Sequence, residues 1–374
     1  MRLLLCSIFA LGIACGDDID PADAGPLDAS PTDARSAPDA SADSALDALE
    51  DAPSAPRDGG SADTIPDAGP RLPERICEAW PEPDSVDEEG LSFDQTGVPV
   101  GVEPANSDAV KVVLLPGSRT DHRSGQHEYF AGCAILAQML CQTAGVVPVI
   151  YRDWPADEST FEDAAAVVFY SDGDDAHPLS DEAHRSVMAR HVARGMGVVA
   201  LHYAVDGNTE SDPILRTWLG GNFELGFSDN PLWEAALSTT SDHPAVRGVP
   251  TSFTIFDEWY FNMRGLEDAA ITPLLQSSPA DNLRTNSSMF NGRNETLSWA
   301  FERPDGGRSF AFNGGHFHGN WSFVAEDGAP TGRYQRQLVT QGILWAARQE
   351  IPAAGAPVAF DEATNQWWWL DNDR

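Results

Sequence analysis

The chain has 374 residues and a formal net charge of −35. That length allows two or three domains, and the acidic balance argues against nucleic acid as a partner. Beyond the N-terminal segment no apolar run is long enough for a transmembrane helix.

Met1-Arg2 is a short basic start, and the apolar run from Leu3 to Ile13 is too short to span a bilayer, so residues 1–14 read as a signal peptide. The run ends at Gly12-Ile13-Ala14-Cys15. A small residue followed by cysteine resembles the processing site of bacterial lipoproteins and makes Cys15 the expected lipidation site. An ordinary secretory signal cleaved near Ala14 is the other reading. Either one exports the mature chain; the lipoprotein reading places it in the cell envelope, touching the membrane only through an N-terminal lipid.

Residues 16–70 hold fourteen acidic and two basic side chains and almost no large apolar ones, a net of −12. Such a segment cannot bury enough surface to offset chain entropy, so 15–74 is expected to be a disordered, extended acidic tether. With Cys6 removed and Cys15 lipidated, Cys77, Cys133 and Cys141 remain. Cys133 and Cys141 fall on one predicted helix about 12 Å apart, too far to bridge. At most one disulfide can form, and it must use Cys77; the simpler expectation is two core thiols on an amphipathic helix.

The folded domain is expected over 75–352. Ala109 to Gly117 is a buried-strand run closed by a breaker, followed by a polar loop with His122. His127 to Gly145 predicts a helix stopped by glycine. Val146–Tyr151 and Ala165–Tyr170 are further strands. Ser180 is the expected N-cap of a helix running to Arg194, and Met196–Leu201 is a fourth buried strand ending at His202-Tyr203. A helix follows at Asp212–Leu219. Continuous rather than alternating apolar strands argue for a mainly parallel sheet covered on both faces.

From Pro231 the pattern changes. Phe253–Tyr260 and Ile271–Gln276 read as strands, Leu297–Phe301 and Arg308–Phe312 as a β-hairpin, and Arg333–Arg348 as a closing helix. Residues 353–374 are irregular and end in Trp367-Trp368-Trp369.

In an open parallel sheet, sites form at the carboxyl ends of the strands. Those ends carry His122, His127 and Glu128; Asp172; His202 and Tyr203; and His316 and His318 in Gly314-Gly315-His316-Phe317-His318. Residues i and i+2 of a strand share a face, so His316 and His318 can converge on one ligand. Asp257 and Glu258 cannot both point inward from one strand. Neutral imidazoles and carboxylates suit a divalent metal such as zinc, and His127, His202, His316 and His318 are the candidate ligands. The same groups could serve as acid and base without a metal, or be no more than hydrogen-bonded strand-end side chains. The nearby Trp233, Trp259, Tyr260 and Trp321 could stack on a sugar or belong to the core. No Gly-x-Ser-x-Gly elbow is present.

Several of these stretches together resemble the ThuA-like family, named for trehalose utilisation. They are Pro116-Gly117-Ser118 with Gln126 to Cys133, Phe169 to Gly173 with His177-Pro178-Leu179, Gly197 to Ala204, Trp218 to Phe223, Asp257 to Arg264, and Pro304 to His318. The resemblance implies a three-layer α/β fold of the class I glutamine amidotransferase-like, flavodoxin-like kind, here with an added β-hairpin region. It also implies that His202 stands where an amidotransferase carries its nucleophilic cysteine, which removes that chemistry. It implies that His202, His316 and His318 face one pocket and ties the chain to disaccharide metabolism. The expected function is a hydrolase, lyase or isomerase acting on a disaccharide or oxidised sugar. His202, His316, His318, Glu258 and Asp172 are its candidate catalytic residues, and a small molecule or glycan is its partner. A surface module that binds a glycan or protein without turnover is the alternative.

Overall fold

The structure is a computed structural model that describes Cys77 and residues 98–359, apart from 107, 119–121, 123–125, 241 and 317–330. The signal segment, Cys15, the tether, His318, Trp321 and the Trp-rich end lie outside the described residues. Among the described residues the strands form one nine-stranded sheet.

The first half runs β1 (Val110–Pro116), α1 (Tyr129–Leu140), β2 (Val146–Ile150), β3 (Ala164–Tyr170), α2 (Glu182–Val192), β4 (Gly197–Leu201) and α3 (Asp212–Leu219). The second half runs β5 (Leu232–Thr239), β6 (Ser252–Glu258), β7 (Ile271–Ser277), β8 (Glu295–Glu302), β9 (Arg308–Phe312) and α4 (Thr331–Ala346). The sheet order is β2-β1-β3-β4-β9-β8-β7-β5-β6. From β2 to β9 neighbours are parallel; from β9 to β6 they are antiparallel. The parallel part has the doubly wound order 2-1-3-4-5, with β9 as its fifth strand.

The alternation of side chains along a strand builds the three layers. In β1, Val112 and Leu114 join the core under α1 and α4, whereas Val113 and Leu115 join the core under α2 and α3. Strands buried on both faces must be apolar throughout, which is why they read as continuous runs. Each fully buried Val, Leu or Phe contributes roughly 1.5–3 kcal/mol relative to exposure. The hairpin is locked to the parallel half by Arg303, whose guanidinium donates to the Met196 carbonyl at 2.8 Å and to Ser309 Oγ at 2.9 Å. No helix of the described residues is long and apolar enough to cross a membrane.

Four local expectations change. The first helix begins at Tyr129 rather than His127, because His127 has a φ of 55°, outside the helical range. It is buried at every position but Gln138 rather than amphipathic, since α4 packs beside it on the same face of the sheet. Cys141 is not a core thiol: it lies at the helix C-cap and bonds Cys77, while Cys133 is buried and free. The N-cap of α2 is Asp181, which accepts from the Ala183 N–H, and Ser180 sits in the preceding 3₁₀ turn. The strand β5, absent from the sequence reading, pairs with β6 from Leu232↔Glu258 onward. Its inward residues Trp233, Ala235 and Leu237 alternate with weak strand formers, which hid the pattern.

His177 ties the turn after β3 to the turn after β4. Its Nδ1 accepts from the Leu179 N–H at 2.9 Å, and its Nε2–H donates to the Ala204 carbonyl at 3.1 Å. Burial pushes its pKa down to about 4, although the Ala204 carbonyl pulls the other way. Folding therefore favours the neutral ring. That stability is complete above the unfolded pKa near 6.5 and is lost as pH falls toward 4. The metal-free protein should lose stability across this window, with up to about 3 kcal/mol from His177 alone. Chemical denaturation of His177→Gln in a chelating buffer should give a shallower acid slope than wild type.

Candidate metal centre

Four elements deliver one side chain each to the carboxyl edge of the parallel strands. His127 lies in the turn entering α1, His202 directly follows β4, Glu258 ends β6, and His316 follows β9. The antiparallel extension curls back over this edge: the ring of Trp259 packs on Phe312 with centroids 5.6 Å apart, and Tyr260 stands 4.8 Å from His202.

Their donor atoms form a compact group. His127 Nε2 is 2.9 Å from His316 Nδ1 and 3.1 Å from His202 Nε2. Glu258 Oε2 is 3.0 Å from His316 Nδ1, 3.3 Å from His202 Nε2 and 4.0 Å from His127 Nε2. Ligands about 2.0–2.1 Å from a tetrahedral zinc ion stand roughly 3.3–3.4 Å apart. The four atoms bracket that spacing, all within 4.8 Å of one another.

The surrounding hydrogen bonds prepare the rings for such a role. Asp172 Oδ1 accepts from His127 Nδ1 at 2.9 Å, so Nε2 turns its lone pair inward. The Tyr129 hydroxyl donates to the same carboxylate. This carboxylate–histidine pairing recurs behind metal ligands, where it fixes tautomer and ring orientation. His202 Nδ1 faces the Asn313 carbonyl at 3.4 Å, which likewise leaves Nε2 for the centre. Because Asp172 and Tyr129 are both buried, this support is shielded from water.

The backbone carries strain at the same place. His127 and His202 have φ of 55° and 54°, a left-handed conformation that costs roughly 1–3 kcal/mol in a residue with a side chain. The His316 turn is clamped from two sides. Asp257 accepts from the N–H of Gly315 at 2.9 Å and of His316 at 3.1 Å, and the Tyr170 hydroxyl donates to the Gly315 carbonyl. The His316 carbonyl in turn accepts from the His127 N–H at 2.9 Å.

Electrostatics follow from this convergence. Burial alone would raise the Glu258 carboxyl, but the facing His127, His202 and His316 hold it well below the usual range. Burial pushes His202 down to about 4, with Glu258 opposing and His127 reinforcing. Burial also acts against charge on His127, yet Asp172 and Glu258 outweigh it and raise its pKa. In the metal-free molecule a proton on His127 thus supplies positive charge that the cluster attracts.

Glycine at 314 is dictated by close approach. A Cβ there would stand 2.6 Å from the buried ring of Trp259 and 3.1 Å from Phe312. Gly314→Ala should therefore cost about 1–3 kcal/mol by overpacking and displace His316 two residues on. Calorimetry and metal titration of this variant should show both effects together.

A family model described as ThuA, trehalose utilisation, matches residues 118–346. The chain belongs to the ThuA family. No curated protein matches it. Solved structures that resemble this ThuA chain include a ThuA-like protein from Parabacteroides merdae, at 21% identity over 65% of this chain and 92% of that one, TM-score 0.45. A ThuA-like protein from Bacteroides uniformis is 17% identical over 68% and 99%, TM-score 0.45. A glutamine amidotransferase from Thermotoga maritima is 9% identical over 64% and 96%, TM-score 0.34.

Within the ThuA domain, His127, His202, His316, Glu258 and Asp172 lie together, and His318 is outside the described residues. His122 joins from the solvent side: its ring is 3.6 Å from that of His127, and its Nε2 is 3.8 Å from Asp172. Neither His122 nor His127 caps α1, whose N-cap is Glu128 with no side-chain capping bond. Trp233 and Trp259 are core residues rather than a sugar-stacking platform, and Tyr260 is buried beside His202. Asp257 and Glu258 both serve the site, one through backbone N–H groups and the other through its carboxylate. This is possible because the strand ends at Glu258. Sequence reasoning missed Tyr129, Tyr170 and Asn313, whose roles depend on contacts between distant segments.

Proposed function

We propose that this ThuA chain is an extracytoplasmic, metal-dependent protein acting on a carbohydrate. His127, His202 and His316 hold a divalent ion such as zinc, and Glu258 completes the donor set. The reading is carried by the convergence of three imidazole nitrogens and one carboxylate oxygen on one point, with His127 fixed in the ligating tautomer by Asp172. Without an ion, protons on the imidazoles hydrogen-bond to the ionised Glu258 carboxylate, and a divalent ion would displace them. The donor set is N-rich with one oxygen, which suits zinc or a similar first-row ion.

Such an ion supplies Lewis-acid polarisation of a bound substrate oxygen. The chain's own groups do the rest. Asp172 and Tyr129 orient His127, and Asp257 and Tyr170 hold the His316 turn. Glu258, the most accessible of the four with its side chain 16% exposed, marks the side from which a sugar hydroxyl approaches. His318 is proposed as a further acid–base group. The family's link to trehalose utilisation supports a disaccharide or oxidised sugar as substrate and a hydrolase, lyase or isomerase reaction.

The deciding experiment is metal analysis of the purified chain, followed by a panel of disaccharides and oxidised sugars with and without chelator. Stoichiometric metal and chelator-sensitive turnover are expected. Sugar binding without turnover would favour a displayed glycan-binding module, and no metal uptake would overturn the reading. Export and anchoring at Cys15 form part of the proposal, with the membrane touched only through the lipid and no role for nucleic acid. Acyl labelling that persists in Cys15→Ser would sink the anchor.

A further inference from the structure

A carboxylate that serves a metal with one oxygen needs something to hold the other. Glu258 Oε2 faces His316 at 3.0 Å and His202 at 3.3 Å. Its second oxygen, Oε1, accepts from the side-chain N–H of Asn230 at 3.1 Å. Asn230 is exposed, unlike the buried histidines it stands behind. It is also hydrogen-bonded to the Tyr260 side chain.

The position of Asn230 is fixed by main chain, not by its own side chain. Asp229 and Phe261 exchange backbone hydrogen bonds of 3.2 and 2.9 Å, and the Trp259 N–H donates to the Pro231 carbonyl at 3.2 Å. The Asp229 carboxylate is buried and accepts from the N–H groups of Asn286 at 2.7 Å and Ser287 at 3.1 Å. Asn230 is thus carried on a rigid rail that runs beside the segment leaving β6. Its side-chain N–H on Glu258 Oε1, beside the contact with Tyr260, selects the rotation of Glu258.

We propose that Asn230 is a positioning residue of the metal centre, holding Glu258 Oε1 so that Oε2 is presented to the ion beside His202 and His316. The proposal rests on the metal reading above. Supporting groups of this kind are worth 10–100-fold in metal affinity. Because the side chain is exposed and the backbone rail is held elsewhere, removing the amide should spare the fold.

The test uses the full chain, stripped with chelator. Zinc affinity is measured by competition with a chromophoric chelator, and the ligand field is read from the visible spectrum of the cobalt(II)-loaded protein. Asn230→Leu keeps the side-chain size and removes the donor. It should bind zinc about 10–100-fold more weakly. Its cobalt(II) bands should shift in the same direction as those of Glu258→Gln, with the melting temperature of the metal-free protein unchanged. Asn230→Gln, which keeps an amide on a longer arm, should recover part of the affinity. An affinity within twofold of wild type, or an unaltered cobalt(II) spectrum, would overturn the role of Asn230 while leaving the metal centre standing. An equal loss in Asn230→Gln and Asn230→Leu, accompanied by a lower metal-free melting temperature, would reduce Asn230 to a structural residue. Failure of wild type to take up any metal would overturn both readings.

Discussion

Replacing His202 with asparagine should remove the metal while leaving the domain folded. Asparagine tolerates the left-handed backbone that His202 adopts at φ 54°, so the turn after β4 keeps its shape. What is lost is one of four donor atoms. Tetrahedral zinc sites bind with an apparent free energy of about 10–16 kcal/mol, so deleting a quarter of the set should weaken zinc by more than about 100-fold. Equilibrium dialysis should find stoichiometric zinc in wild type and little in the variant. Turnover or sugar binding that depends on the ion should fall with it. A second consequence separates this from misfolding. Saturating zinc at about a thousand times its dissociation constant should stabilise wild type by roughly 4 kcal/mol and the variant hardly at all. Retained zinc affinity in the variant would mean that His202 is a buried structural imidazole and that the centre is smaller than drawn above.

Breaking the Cys77–Cys141 bond should have the largest effect on stability. The bond closes a loop across 64 residues of sequence. The chain-entropy model assigns such a loop about 4 kcal/mol, with observed losses commonly about 2–5 kcal/mol. For a domain of this size, that corresponds to a fall of roughly 10 °C in melting temperature. Calorimetry of Cys77→Ser, compared with wild type in the presence and absence of reductant, checks it. Reductant should move wild type onto the variant and leave the variant unmoved. Cys133, buried and free, takes no part, so Cys133→Ser should keep the reductant response.

Much of the parallel half could be read from sequence because its strands are buried on both faces. Val112 to Leu115 and Val167 to Tyr170 must be apolar throughout, and a continuous run closed by Pro116-Gly117 or Ser171-Asp172 leaves little ambiguity. The strand β5 escaped because one of its faces is open, and Glu234, Ala235 and Ala236 carry no strand preference. Histidines at strand ends were visible for the same reason as the strands. The mutual arrangement was not. The order β4-β9 in the sheet places His202 and His316 side by side, and the His127 N–H bond to the His316 carbonyl brings His127 to them across 189 residues. Glu258 is harder still, since β6 lies at the far edge of the sheet and reaches the histidines only because the extension curls. Tyr129 and Tyr170 look like core aromatics in sequence; their hydroxyls acquire a purpose only once Asp172 and Gly315 arrive beside them.

The helix α1 has a further consequence through its two ends. Its first residue, Tyr129, holds Asp172 beside the histidines, and its C-cap, Cys141, carries the covalent link to Cys77. Twelve helical residues separate these ends by about 18 Å. Any pull transmitted along the chain from upstream of Cys77 therefore reaches the domain at the pole opposite the donor atoms. The covalent crosslink would pass such a force into the buried helix α1 instead of into the loops that shape the centre. The same polarity gives the domain a direction, with the disulfide at one end of α1 and the donor cluster near the other.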